Sequence, residues 1–471
     1  MKKYQSQDDG PLHQTVADGC EIKVGAKSIA VGFAEQKLSA HAGSATFWAW
    51  LHSTRWAETL GRQLPHPATT SNNHLTPLAE ALTFTHGLLC EARKLTHVAY
   101  FRRDPVVPEW LGIRRVASAS TLSRFFGGFA SAGKNLTCFR PLWRWCLERL
   151  PSRPGGYTLD LDSTRLLHED GHQAGVHTGY TRLGVKPCLH PLLAIVSEVR
   201  VVAHCGCGPA TRPAATTRPP SSSNCGTTCR GRCGCGACAR TAVFACQSCS
   251  ICGSNCGCPT SSRPNCPHRS KACCAVGWFG RRPRCVAPTW RRWLIKPLSW
   301  SQPRRLILIR HRVAERPEAG GKKLIDVPGY VFQALVTSLP ASEPPLAVWR
   351  YYNGRADCEN VIKELQQGFA LTTLCLQSFW GTEAALSLAT LTYNLTVLFQ
   401  RHLGWQTKVT IHSLRFWLFT TPGLIAHPAG KTTIKLAVPA RERDWWSRLW
   451  GKIISPFPNC NAVENRPAFS H

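Results

Sequence analysis

The sequence predicts a mixed α/β chain in which strands precede and helices follow a long aberrant insert. Three observations carry this. YTLDLDST (157–164) alternates with period two, placing Leu159 and Leu161 on one side and Asp160 and Asp162 on the other. HPLLAIVSEVRVVAH (190–204) is rich in apolar and β-branched residues and long enough for two strands. YYNGRADCENVIKELQQGF (351–369) and the run at 380–401 have helical spacing.

Residues 1–150 read as a helical N-terminal region. LTPLAEALTFTHGLLCEARKLTHVAYF (75–101) places apolar residues at helical intervals, and SASTLSRFFGGF (118–129) opens on capping residues and carries Arg124. LTCFRPLWRWCLERL (136–150) is a third helix, with Arg140, Arg144 and Arg149. Basic helices of this kind suit a DNA backbone, and equally suit the exposed faces of a small bundle. The turn signal PSRPGG (151–156) ends the region, and 151–204 holds the first strands. PRRLILIRHRV (303–313) and YVFQALVTSL (330–339) read as later strands, so 298–405 forms a second strand-and-helix part, and 406–471 reads as a C-terminal tail.

Charge narrows the function. With 57 Lys and Arg against 27 Asp and Glu, the net charge of +30 suggests a polyanionic partner, most often nucleic acid, and equally suits a basic solvated surface. The N-terminal MKKYQSQDDG lacks an apolar stretch of the secretory kind. LSLATLTYNLTVLF (386–399) is interrupted by Thr, Tyr and Asn and falls short of the roughly 20 residues of a membrane span. The expectation is a cytoplasmic, nucleoid-associated protein with no membrane partner.

The segment 205–297 departs from all of this. Of the 24 cysteines, sixteen lie from Cys205 to Cys285. No acidic residue occurs between Glu198 and Glu315, and no leucine between Leu193 and Leu294. Without leucine the segment has little with which to build a core, and its composition reads as disorder. A disulfide scaffold is not expected of a cytoplasmic chain. CQSCSICGSNC has the C-x2-C-x2-C-x3-C spacing of a four-iron site, but Gly257, not proline, follows the fourth cysteine.

Asp162 on a strand and Glu359 on a later helix suggest a site for metal-dependent phosphoryl transfer, because carboxylates hold hard divalent cations that activate one oxygen and stabilise another. At about 100° per residue, Arg355, Glu359 and Gln366 fall within about 40° on one helical stripe, with Tyr352 just before it. A tyrosine and an arginine there suit a DNA phosphate. The Arg355–Glu359 spacing equally suits an ordinary i,i+4 contact.

YYNGRADCENVIKEL resembles the Y-x2-R-x3-E box of bacterial insertion-sequence transposases of the DDE class, and DLDST resembles the strand bearing their first catalytic aspartate. The likeness covers most of 150–405 outside the insert. It implies an RNase H-like catalytic core behind a helical N-terminal DNA-binding region. It implies Asp162 and Glu359 as catalytic metal ligands, Mg2+ or Mn2+ as cofactor, and Tyr352 and Arg355 as assisting residues, with Asp160 structural. The box normally ends in lysine where this chain has Gln366, and Lys363 is the nearby substitute. The implied partners are insertion-sequence ends and target DNA, with a homodimer in the synaptic complex.

The family's second aspartate, in a motif like ADSGF, is missing. Reading synonymous codons for Ala237–Ile251 one base early restores it, as RVRADSGFCLPELLD. The same displacement turns CGPATR (207–212) into LRPGNT and TWRRWLIKP (289–297) into DVAEVVDQA. Leucine CTG codons read one base late begin with TG and become cysteine, and GA-initiated codons lose their acids. The segment 205–297 is therefore read as out-of-frame text, and the product as inactive. The alternatives are a DNA-binding protein without catalysis, or a Cys-rich zinc or iron–sulfur protein.

Overall fold

The computed structural model describes residues 20–31, 36–65, 73–168, 172–181, 184–207, 261–262, 289–295, 303–312, 330–374, 376–405 and 407–455. Most of the Cys-rich segment, including the C-x2-C-x2-C-x3-C run and the span read as a hidden ADSGF, lies outside the described residues.

A hairpin of β1 (Cys20–Val24) and β2 (Lys27–Val31) precedes the short β3 (Lys37–Ser39). Seven helices follow: α1 (Ala45–Ser53), α2 (Trp56–Gln63), α3 (Pro77–Leu89), α4 (Leu95–Ala99), α5 (Val107–Leu111), α6 (Ala119–Gly127) and α7 (Ala132–Leu147). Their starts follow from capping. Thr76 accepts from the Ala79 amide with Pro77 at the first helical position, and the Ser118 and Ser131 hydroxyls accept from the amides of Thr121 and Lys134. The apolar run at 75–101 splits into α3 and α4. The chain leaves α3 through Glu91 at φ 72°, and the Ala92 amide returns to the Gly87 carbonyl at 2.8 Å.

The period-two segment becomes β4 (Leu159–Ser163), paired antiparallel with β8 (Leu192–Val196), which pairs with β9 (Val201–Gly206). Asp162 lies opposite Leu193. A second three-stranded sheet orders β5 (Leu166–Leu167), β7 (Gly184–Leu189) and β6 (His177–Thr181). β12 (Arg304–Arg312) lies between β11 (Thr289–Ile295) and β13 (Tyr330–Thr337), and β13 also pairs with β10 (Ser261–Ser262). β10 and β11 thus fall inside the stretch read as out of frame, as do the last two residues of β9.

The box at 351–369 is not one helix. α8 (Pro345–Asn353) ends at Gly354, and α9 (Ala356–Gly368) starts after Arg355. Tyr352 and Glu359 therefore sit on different helices, with Arg355 at the hinge. α10 (Phe379–His402) is buried on nearly every side from Gly381 to Gln400, as expected of a helix apolar all round. Its inward-facing threonines keep hydrogen-bond partners, because Thr390, Thr392 and Thr396 bond back to carbonyls of the preceding turn at 2.7–2.8 Å. Asn394 spans both polar groups of Val202 on β9, accepting from its amide at 2.8 Å and donating to its carbonyl at 2.7 Å. Among the described residues, no helix is long and apolar enough to cross a membrane.

One hydrophobic cluster runs from Ala42 to Ile453 and joins the N-terminal helices, β8, β9, α9 and α10. The boundary near residue 150 is thus a change of secondary structure, not of core. Residues 407–455, inside the segment read as a tail, belong to the same cluster. α11 (Ile411–Leu414) and α12 (Arg443–Ile454) bury Ile411, Leu414, Trp446, Leu449 and Ile453, while β14 (Gly423–Ala426) pairs with both β3 and β15 (Thr433–Leu436). Polar residues dilute this region's pattern, which hid its folded state. A second, small cluster holds Ile307 and Ile309 of β12, Leu335 of β13, and Val348 and Tyr352 of α8.

Candidate active site

β4 presents two carboxylates with different surroundings. Asp160 is 2% exposed and accepts a hydrogen bond from the Ser197 hydroxyl in the β8–β9 turn. Burial pushes its carboxyl above the ordinary range, against the Ser197 bond and Arg355. This environment suits a structural group. Asp162, two residues on, reaches out to the helices. Its Oδ1 accepts from the Ser163 amide at 2.8 Å and its Oδ2 pairs with Arg355 Nη2 at 2.9 Å. Burial raises the Asp162 carboxyl, Arg355 opposes the rise, and the charge of Glu359 adds to it.

The residues predicted from the box converge on this point to different degrees. Arg355 faces Asp162 directly, and Glu359 is exposed one turn along α9, near enough to act on the Asp162 charge. The Gln366 amide donates to the Thr164 hydroxyl just past β4, so the α9 segment touches the strand at two places eleven residues apart. Lys363 is exposed, one turn beyond Glu359. Tyr352, expected beside a phosphate, is instead 5% exposed, with its ring in the small β12–β13 cluster. Its hydroxyl accepts from Arg355 Nη1 at 3.3 Å, so it reaches the site through the guanidinium. Tyr352 shares the buried face of α8 with Pro345 and Val348.

The opposite flank of α9 carries groups that sequence reasoning missed. Asp357 pairs with Arg200 of the β8–β9 turn at 2.8 Å. Glu364 pairs with Lys408 and also accepts from the Ile411 amide at 3.0 Å. Lys408 donates to the Tyr393 hydroxyl at 2.9 Å, which in turn donates to the Arg200 carbonyl at 2.8 Å. The i,i+7 spacing of Asp357 and Glu364 was a visible signal of one face, but their partners lie 157 and 44 residues away. Between the two charged flanks, Cys358, Val361, Ile362 and Leu365 bury the apolar stripe. The helix is thus fixed in rotation, with Glu359 and Gln366 on the Asp162 side. At its end the buried Arg415 guanidinium donates to the carbonyls of Leu88, Leu89 and Gly368, closing the C-termini of α3 and α9 together.

Asp162 and Glu359 are the two carboxylates here that could hold a hard divalent cation. Asp162 and Glu359 offer carboxylate oxygens on one side of α9, and a positive group already rests on Asp162. Among the described residues, no group of three or more His, Cys, Asp or Glu side chains gathers as a metal site.

Among solved structures, a piggyBac transposase synaptic complex with hairpin DNA, determined by cryo-EM, aligns with 80% of this chain and 79% of its own chain, at 12% identity and a TM-score of 0.40. No curated protein matches the chain. Residues 290–455 match the family described as Transposase DDE domain group 1, a class of domain that generally works with divalent metal ions. That match contains Tyr352, Arg355 and Glu359, and the likeness to DDE-class transposases read from YYNGRADCENVIKEL is thereby met by an independent family assignment over the segment that carries it.

Proposed function

We propose that the chain is a transposase of the bacterial insertion-sequence kind, with Asp162 and Glu359 as two of its metal ligands and a frameshift across 205–297 that leaves this copy inactive. The observation that carries the reading is the meeting of β4 and α9. Residues about 200 positions apart join through Arg355–Asp162 and Gln366–Thr164, and both residues predicted as ligands lie at that seam. The antiparallel order β4–β8–β9, with α10 laid against β9, fits the opening of an RNase H-like sheet.

In this reading Asp162 and Glu359 hold Mg2+ or Mn2+, which would activate the attacking oxygen and stabilise the leaving one. Arg355 supplies a planar fork of donors for a strand-end phosphate, and Tyr352 holds that fork in place. Gln366 steadies the loop after β4 and contributes no charge where the family box has lysine. The N-terminal helices and the +30 net charge serve the duplex. Two of their basic residues are engaged locally: Arg144 pairs with Glu148 at 2.8 Å, and Arg149 lies 3.4 Å over the Trp145 ring. Arg124 is exposed. In this reading the partners are insertion-sequence ends and target DNA, with a homodimer in the synaptic complex.

The test is a frame-restored gene. Its product should nick and join DNA carrying the element's ends with Mg2+, and Asp162→Ala or Glu359→Ala should abolish this. Gln366→Lys should help modestly. The chain as given should do neither step, since two carboxylates cannot position two ions for in-line displacement. Cleavage by the unrestored chain would place the site elsewhere.

A further inference from the structure

We propose that Arg355 is a tethered cation that competes with the divalent metal ion for Asp162, so that metal loading and release of the guanidinium are a single exchange. The inference rests on the reading of Asp162 as a metal ligand. Both oxygens of that carboxylate are engaged, one by the Ser163 amide and the other by Arg355 Nη2 at 2.9 Å. Magnesium and manganese need carboxylate lone pairs at about 2.0–2.2 Å. A guanidinium on the same oxygen would then lie within about 4 Å of the ion, where two positive charges repel. One of them must leave.

The surroundings favour such an exchange. The pair is partly buried, with side-chain exposures of 15% and 18%, and Glu359 adds negative charge beside it. Without a counter-charge this carboxylate pair would be costly, so Arg355 keeps the site neutralised while no ion is present. Arg355 is also placed to leave without travelling far. It stands at the α8–α9 break, and its second terminal nitrogen is held by the Tyr352 hydroxyl. The Tyr352 ring is fixed among Ile307, Ile309, Leu335 and Val348. A guanidinium displaced from Asp162 therefore stays beside the ion, with its donors turned toward whatever anion the ion attracts.

Mn2+ binding to the full chain tests this without any need for catalysis, using calorimetry or the electron paramagnetic resonance signal of the free ion. Arg355→Gln should tighten Mn2+ binding about twofold to fivefold, the size of a partly exposed ion pair. Tyr352→Phe should act in the same direction but less, and Asp162→Asn should remove binding in every background. Unchanged or weaker binding in Arg355→Gln, with Asp162→Asn still removing it, would overturn the exchange and leave Asp162 as a ligand. Unchanged binding in Asp162→Asn would instead overturn the metal-ligand reading itself. If Arg355→Gln does not fold, Arg355→Met and Tyr352→Phe decide the matter: tighter binding in either supports the exchange, and no gain in either refutes it.

Discussion

Replacing Lys408 with methionine removes the cation from a pair that is 11% exposed on both sides. Glu364 then keeps the Ile411 amide as a hydrogen-bond partner but has lost its neutralising charge. Breaking a buried pair by taking one partner costs about 3–5 kcal/mol, because the other charge stays desolvated. The remaining amide bond and slight exposure put this case near the lower end, about 3 kcal/mol. The Tyr393 hydroxyl also loses a donor, though it keeps its bond to the Arg200 carbonyl. Glu364→Gln alone strands the ammonium and should cost about 2–3 kcal/mol by the same reasoning. The double variant Glu364→Gln/Lys408→Met leaves no stranded charge and should recover about 2 kcal/mol of the summed loss. Urea denaturation of the four proteins, followed by tryptophan fluorescence, gives the coupling. Additivity within about 0.5 kcal/mol would refute the pair as a unit and, with it, the rotational anchoring of α9.

Four further outcomes follow from named contacts. Asn394→Ala strands the amide and carbonyl of Val202 in the core and should cost about 2–3 kcal/mol in chemical denaturation; a loss under about 1 kcal/mol would mean α10 is not pinned to β9 there. Gly368→Ala places a Cβ 2.3 Å from Ile411 Cγ2 and should destabilise by about 1–3 kcal/mol, visible as a lower melting temperature. Burial holds the His86 imidazole down at about 3 and His204 at about 4, so each stays neutral when folded and charges when unfolded; their share of stability is full above about pH 6.5 and is lost as pH falls toward 4 and 3, and His86→Phe should flatten that slope. Asp160, Asp162 and Glu383, raised by burial, work in the opposite sense and partly offset the loss. If 205–297 is out-of-frame text, the reduced protein should carry no stoichiometric iron or zinc; a visible absorption band lost on Cys249→Ser would contradict it.

Local chemistry was enough for part of the fold, while the hairpin β1–β2, the sheet β5–β7–β6 and the folded segment 407–455 gave no readable pattern. Alternation set the two sides of β4, Leu159 and Leu161 on one and Asp160 and Asp162 on the other, but not which side is covered: Asp160 is the most buried residue of the strand and both leucines are partly buried. The capping Ser118 set the start of α6, whereas α7 begins at Ala132 behind Ser131, four residues before the stretch read as its helix. Arg355, Glu359 and Gln366 were placed on one stripe by the helical period alone, since that period does not depend on what the helix packs against. The break at Gly354 was beyond the sequence, and so was the burial of Tyr352 in the β12–β13 cluster, whose other members come from strands and a turn of α8 that only the fold brings together. So was the choice of Arg355's partner. The i,i+4 spacing offered Glu359, whereas the fold brings up Asp162 from 193 residues earlier in the chain, in a less exposed setting where opposite charges attract more strongly than at the surface. The pins on the far flank of α9, Arg200 and Lys408, belong to a turn and a loop with no pattern of their own. Only the packed structure decides that Arg200 meets Asp357 and that Lys408 meets Glu364, because buried charges are stable only where the fold delivers a partner of opposite sign.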